Sequence, residues 1–216
     1  MKYEVYIHSL LTEERKRYIY QSKKLYPFCK IFKSTDGYNK DETIKDFLDL
    51  GIDFHSLSIG PNWNFHTYGV LACWVSKVRF FKFQIENKIP YALLLEDDAK
   101  LIPGFFTKLD STMEKKWDLL DEEIDIIRLF KWGEGYITSI SGAQRILNKL
   151  KICGVTDNVD IQLRKVSESC IWEDFKSHYR KWVKTNEGDI LKCDDLDDYF
   201  YNSIKKLFQK LYIKRS

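Results

Sequence analysis

Residues 91–100, YALLLEDDAK, constrain the fold of this chain more than any other stretch. They run apolar from Ala92 to Leu95 and then place three carboxylates in succession, Glu96, Asp97 and Asp98. A short apolar run entered through Ile89-Pro90 reads as a strand buried on both faces, of the kind found in the middle of a mostly parallel sheet. Open α/β sheets gather ligands at the carboxyl ends of their strands, which is where these acids fall. Oxygen ligands in pairs suit hard divalent cations, magnesium or manganese, which keep open positions for phosphates. Alternation along an extended chain puts Glu96 and Asp98 on one face and Asp97 on the other, so the first and third carboxylates are the expected metal pair. The same acids also suit a helix N-terminus, with Asp97 or Asp98 capping an element that opens after Pro103-Gly104.

With 216 residues, 44% of them hydrophobic, the chain is long enough for one sizeable core and is read as one domain. Lys and Arg total 35 against 32 for Asp and Glu, a balance that gives no support to a nucleic-acid partner. The five cysteines are widely spaced and form no C-x-x-C pair, which disfavours a disulfide framework or structural zinc and fits a reduced, cytoplasmic setting. The opening MKYEVYIHSLLTEERK contains no continuous apolar core of a secretory signal, and no apolar run reaches membrane-spanning length.

Taken in order, residues 3–8 alternate as a first strand, and Thr12 followed by Glu13 and Glu14 caps a helix. The basic middle of that helix, Arg15 to Arg17, reads as a solvated face or as part of a phosphate-facing rim. Residues 29–33 form a second strand ending in the turn Ser34-Thr35-Asp36-Gly37, which makes the start of a βαβ unit. Residues 41–50 are a short helix closed by Gly51. The clearest helix is 67–87, where Leu71, Trp74, Val75, Val78, Phe81 and Ile85 form the core stripe. Lys77, Arg79, Lys82 and Glu86 fall off that stripe, and a solvated Lys77 is the default reading. After the acids come a helix over 105–113, a buried strand over 124–130, a loop with Glu134 between Gly133 and Gly135, a strand over 136–139 and a helix from 141 or 142 to 150. Asp157 and Asp160 stand in a further polar loop.

Residues 1–193 make up the main domain. The tail, 194–216, is a basic amphipathic helix with Tyr201, Ile204, Phe208, Leu211 and Tyr212 on one face. It suits either packing on the parent domain or peripheral contact with an anionic membrane. The four histidines show no paired metal spacing, and the G-x-S-x-G, P-loop and G-x-G-x-x-G signatures are all absent.

Several blocks, in unbroken order over about residues 3–163, resemble glycosyltransferase family 25. YIHSLLTEER resembles the family's opening strand and turn, with His8 in place of an asparagine, and STDG resembles its Asp-Gly turn. TYGVLACWVSK matches a family block at Gly69, Cys73 and Ser76, while Val70, Ala72 and Lys77 replace a glutamate, a glycine and a histidine. LLLEDDAKL is similar to the family's version of the DXD motif, and DIIRL, GYITSISGAQRIL and VDIQL resemble the blocks that follow it.

The resemblance implies an α/β, GT-A-like single domain with a mostly parallel central sheet, a Rossmann-like nucleotide-binding half and flanking helices. It implies transfer of a hexose from a nucleotide diphosphate sugar, a UDP-sugar, to a saccharide or glycoconjugate acceptor, with inversion. A divalent metal, Mn2+ or Mg2+, would be held by Glu96 and Asp98, and the donor would be contacted by His8, Ser9, Asp36, Ser76, Lys77 and Asp97. The acceptor's proton would pass to Asp160, or to Glu134 as second candidate, although Asp160 also suits a helix cap. Two rival readings stand beside this one: a saccharide- or partner-binding domain that has kept the fold without turnover, and a metal-dependent phosphohydrolase on the same acidic strand end.

Overall fold

The structure is a computed structural model that describes residues 2–50, 68–99, 101, 104–114, 116–122, 124–129, 135–153, 159, 163 and 169–171. In chain order its elements are β1 (Glu4–Ser9), α1 (Glu13–Leu25), β2 (Lys30–Lys33), α2 (Lys40–Asp49), α3 (Tyr68–Glu86) and β3 (Tyr91–Glu96). They continue with α4 (Phe105–Met113), α5 (Trp117–Glu122), β4 (Ile126–Arg128), β5 (Gly135–Ser139), α6 (Ile140–Cys153) and β6 (Ser169–Ile171). The expected tail helix over 194–216 lies outside the described residues.

The strands form one sheet in the order β2-β1-β3-β5-β4-β6. β1 pairs parallel with both β2 and β3, and β4 pairs parallel with β6. β5 runs antiparallel to β3 and β4, so the sheet is mostly parallel with one reversed strand inside it. The reversal was not legible in the sequence, and neither were α5 and β6, because strands or helices this short carry too few residues to show a period.

Local chemistry explains the first crossover. Thr12 is extended, and its hydroxyl accepts from the Arg15 amide at 3.3 Å, which starts α1 where the sequence predicts. The Asn39 side chain likewise accepts from the Glu42 amide at 3.1 Å to start α2.

Alternation along the strands divides the core in two. Tyr6, Ala92, Leu94, Ile126 and Tyr136 face a layer built from α2, α3 and α6. Val5, Ile7, Leu93, Leu95, Ile127 and Ile137 face the other, where Ile19 of α1 meets α4 and α5. β3 is therefore buried on both faces over Tyr91 to Leu95, as its unbroken apolar run predicts.

The buried stripe of α3 includes Leu71, Trp74, Val75, Val78 and Phe81 as expected, but Ser76, Lys77, Phe80 and Gln84 are buried as well. The expected solvated face is narrower than the sequence pattern predicts because α3 packs against α2 and α6 in addition to the sheet.

Past β3, the chain locks α6 onto the entrance of β4. A methyl group on Gly142 would lie 2.3 Å from the Asp125 carbonyl oxygen, so only glycine lets the two backbones approach this closely. The Gly142 amide donates to the Ser139 hydroxyl at 3.0 Å, and Ser139 donates in turn to the Leu120 carbonyl at 2.8 Å. The buried Asp125 carboxylate accepts from Arg145 and, at 2.8 Å, from Lys149. Gly142→Ala is expected to destabilise the fold by about 1–3 kcal/mol through overpacking. Urea denaturation measures it, and an unchanged midpoint would show that α6 can lift from β4 at no cost.

Candidate functional site

Three parallel strands, β2, β1 and β3, end side by side, and the backbone stitches their ends together. The Asp97 amide donates to the His8 carbonyl at 3.2 Å, and the Ser34 amide donates to the Ser9 carbonyl at 2.8 Å. In register, His8 lies between Phe32 and Glu96, so these three side chains form one row across the sheet on the α3 side. Leu11, in the turn from β1 to α1, takes a left-handed φ of 59°, and its amide donates to the Ser9 hydroxyl at 3.1 Å. A leucine in that region is disfavoured by about 1–2 kcal/mol, so local strain sits beside the strand end.

The three carboxylates separate by face. Glu96 continues the α3-side row, and the Lys77 ammonium donates to its Oε1 at 3.2 Å. Asp97 turns to the α1 side, where the Ser9 hydroxyl donates to Oδ2 and Arg15 Nη1 donates to Oδ1 at 2.8 Å. Asp98 meets the same Arg15 nitrogen at 3.3 Å through Oδ2. The expected split of Glu96 and Asp98 from Asp97 thus fails at its third member. The strand ends at Glu96, and the turn that follows brings Asp98 to the guanidinium that Asp97 already holds. Burial pushes the Asp97 carboxyl above its ordinary range, while the Ser9 hydroxyl and the Arg15 charge pull it back.

Lys77 is 2% exposed, which corrects the solvated default. Its ammonium sits 5.2 Å from the centre of the Tyr136 ring as well as on Glu96, so the charge is met by a carboxylate and a π face together. Beside it, His8 is buried and stacked on Phe32, with ring centres 6.1 Å apart. Burial, then the charges of Lys77 and Arg79, hold the imidazole well below its ordinary pKa, so it is neutral at pH 7. Its Nε2 has no hydrogen-bond partner among the described residues.

The other expected donor residues take structural positions around this mouth. The Ser76 hydroxyl accepts from the Thr35 amide at 2.8 Å, tying α3 to the end of β2. Asp36 accepts from the Tyr38 amide at 2.9 Å through its side chain and from Asn39 at 3.0 Å through its carbonyl, which shapes the turn into α2. Asp160 and Glu134, the expected base candidates, lie outside the described residues.

Two further residues, Arg15 and Arg79, belong to this mouth. For Arg15 the sequence leaves a solvated face and a phosphate-facing rim both open, and the structure sets it over the ends of β1 and β3, on Asp97 and Asp98. Arg79 donates to the Thr35 hydroxyl at 2.8 Å and to Asp46 at 2.7 Å, a link between α3, α2 and the turn after β2 that no linear spacing reveals.

The site therefore offers three acids and two direct counter-cations at a strand end, with a neutral imidazole alongside. Among the described residues, no group of three or more His, Cys, Asp or Glu side chains converges as a metal cage. The family model described as "Glycosyltransferase family 25 (LPS biosynthesis protein)" matches residues 2–145 of the chain. No curated protein matches it.

The buried Lys77 gives one expected outcome. Lys77→Ala leaves a void under Tyr136 and is expected to cost about 2–4 kcal/mol, whereas Lys77→Met retains the stem and costs under about 1.5 kcal/mol. Equal losses in urea denaturation would place the stability in the ion pair and not in the packing. His8 gives another. Its folded pKa lies below its ordinary 6.5, so the unfolded chain takes the proton first. The stabilisation is complete above pH 6.5 and is lost as pH falls toward the folded value. His8→Asn is expected to flatten the loss of melting temperature between pH 7 and about 5; an identical slope in both proteins would show that His8 protonates freely when folded.

Proposed function

The chain belongs to glycosyltransferase family 25, and from that premise we propose that it moves a hexose from a nucleoside diphosphate sugar, a UDP-sugar, to a saccharide or glycoconjugate hydroxyl with inversion. Membership makes it a glycosyltransferase with a sugar donor and an acceptor, on a GT-A-like α/β sheet. The observation that carries the finer reading is the acidic end of β3, set among parallel strands where α/β sheets bind nucleotides.

Glu96, on the α3 side, and Asp98, turned toward α1, supply carboxylate oxygens of the kind that a divalent cation, magnesium or manganese, takes. The Asp98 and Glu96 side chains are 24% and 37% exposed, and Asp98 Oδ1 accepts no hydrogen bond from described residues. Asp97 is more enclosed, with both oxygens engaged by Ser9 and Arg15. Two carboxylates with donor phosphates and water meet the usual demand of such a cation, so three protein ligands are not required. When bound, the cation would stabilise the charge left on the diphosphate as the glycosidic bond breaks.

In this reading the chain's own residues orient the donor. Lys77 fixes Glu96, while Ser9 fixes Asp97, so these two carboxylates stay in place as the donor enters. The neutral His8 imidazole offers a hydrogen bond without adding charge beside Lys77. At the acceptor, Asp160 takes the proton from the attacking hydroxyl, with Glu134 as second candidate. Oxygen then bonds to the anomeric carbon as the bond to the diphosphate breaks, and the nucleoside diphosphate leaves with its electron pair. The family description points to lipopolysaccharide-type glycans as acceptors. Among the described residues no helix is long and apolar enough to cross a membrane, and contact with a lipid-linked acceptor would be peripheral, through residues 194–216.

Asp98→Asn tests the reading. It is expected to remove manganese-dependent binding of UDP and to lower transfer by at least about 100-fold. The apo melting temperature should move by no more than about 4 °C, because a partly exposed ion pair contributes little to folding. Wild-type manganese-dependent binding in the variant would remove the metal assignment, and a large apo melting loss with the metal response intact would mark Asp98 as structural.

A further inference from the structure

The two cations at the acidic strand end are not equivalent. Lys77 is 2% exposed and enclosed by Glu96 and the Tyr136 ring, so it is a permanent part of the site. Arg15 is 23% exposed and stands in the first turn of α1. A single nitrogen, Nη1, serves both Asp97 at 2.8 Å and Asp98 at 3.3 Å. The longer of these bonds falls on the carboxylate assigned above to the metal. Asp97 also accepts from Ser9, so it has a second donor, whereas Asp98 accepts from Arg15 alone among the described side chains.

We propose that Arg15 is the internal counter-cation of the acid pair, holding Asp98 until a divalent cation takes its place and then carrying its charge to the donor's diphosphate. The inference rests on the metal reading of Glu96 and Asp98. A divalent cation on Asp98 and a guanidinium on the same carboxylate repel each other, so the two compete for one group. The incoming diphosphate places anionic oxygens beside that carboxylate, and a planar guanidinium suits them. Arg15 therefore opposes metal binding when no donor is present and supports donor binding once metal is in place. The order that results is donor and metal together, with little affinity for metal alone.

Manganese and UDP titrations by calorimetry, on wild type, Arg15→Ala, Arg15→Gln and Arg15→Lys, test this. Without nucleotide, Arg15→Ala is expected to bind manganese on the order of tenfold more tightly than wild type. At saturating manganese it should bind UDP on the order of tenfold more weakly. Arg15→Lys keeps the charge and should hold manganese affinity near the wild-type value, and Arg15→Gln decides the matter if the alanine variant does not fold. A purely structural arginine would weaken both affinities on removal, so unchanged or weaker manganese binding in the neutral variants overturns the proposal. Wild type that binds no manganese, with or without UDP, overturns the metal reading as well; wild type that binds it normally beside unaltered variants overturns the Arg15 role alone.

Discussion

Burial of β3 on both faces is the constraint from which the site follows. From Tyr91 to Leu95 the strand lies between two helical layers, and an ionised carboxylate anywhere in that run would need a partner in a medium that solvates charge poorly. The acids can stand only where the layers end. The change takes one step, from a buried Leu95 to a Glu96 that is more than a third exposed. Parallel pairing with β1 then sets Ser9 and His8 beside them, because strands that run together also end together. The position of the acidic cluster is a consequence of how the core is closed.

Placing three carboxylates within one turn creates repulsion that the fold must offset, and it does so from both layers. α3 supplies Lys77 from one side and α1 supplies Arg15 from the other. On the α3 side Lys77 is shielded from water and held by packing against Tyr136, which keeps its geometry fixed. On the α1 side the Arg15–Asp98 contact is longer, at 3.3 Å, and both of its partners are partly exposed, which makes it the weaker of the contacts. One half of the cluster is thereby rigid and the other exchangeable. That division is useful in a site that must admit a charged donor and later release a charged product.

The sequence made some of this legible and hid the rest for identifiable reasons. The apolar run before Glu96 fixed β3, Thr12 fixed the start of α1, and the period of Leu71, Trp74, Val78 and Phe81 fixed α3, since each is a local pattern with a local cause. The burial of Lys77 was hidden because a single helical period describes one buried face, while α3 is packed against the sheet, α2 and α6 together. Arg15 was hidden because its partners lie 82 and 83 residues away, beyond any spacing rule. The antiparallel course of β5 was hidden because only three residues of β4 and five of β5 carry the information. Glu134 and Asp160 lie outside the described residues, so their expected roles rest on the resemblance alone.

The blocks that follow the acidic strand show how a shared motif can serve a site without touching it. DIIRL and SGAQRIL carry the resemblance in the sequence as a buried strand and a helix. In the fold, Asp125 anchors Arg145 and Lys149, and Gly142 lets α6 press against the Asp125 carbonyl. The Thr138 hydroxyl donates to that same carbonyl at 3.1 Å, which joins β5 to the lock. β5 carries Tyr136 two residues earlier, on the same side of the strand as Thr138. Tyr136 is the ring against which Lys77 rests, and Lys77 holds Glu96. The chain of contacts runs from a buried aspartate at the start of β4 to the first carboxylate of the site, and each link is a packed or bonded pair. A change at Gly142 or Asp125 would reach Glu96 through the placement of β5, which explains physically why residues with no access to a donor belong to the same pattern as the acids that have it.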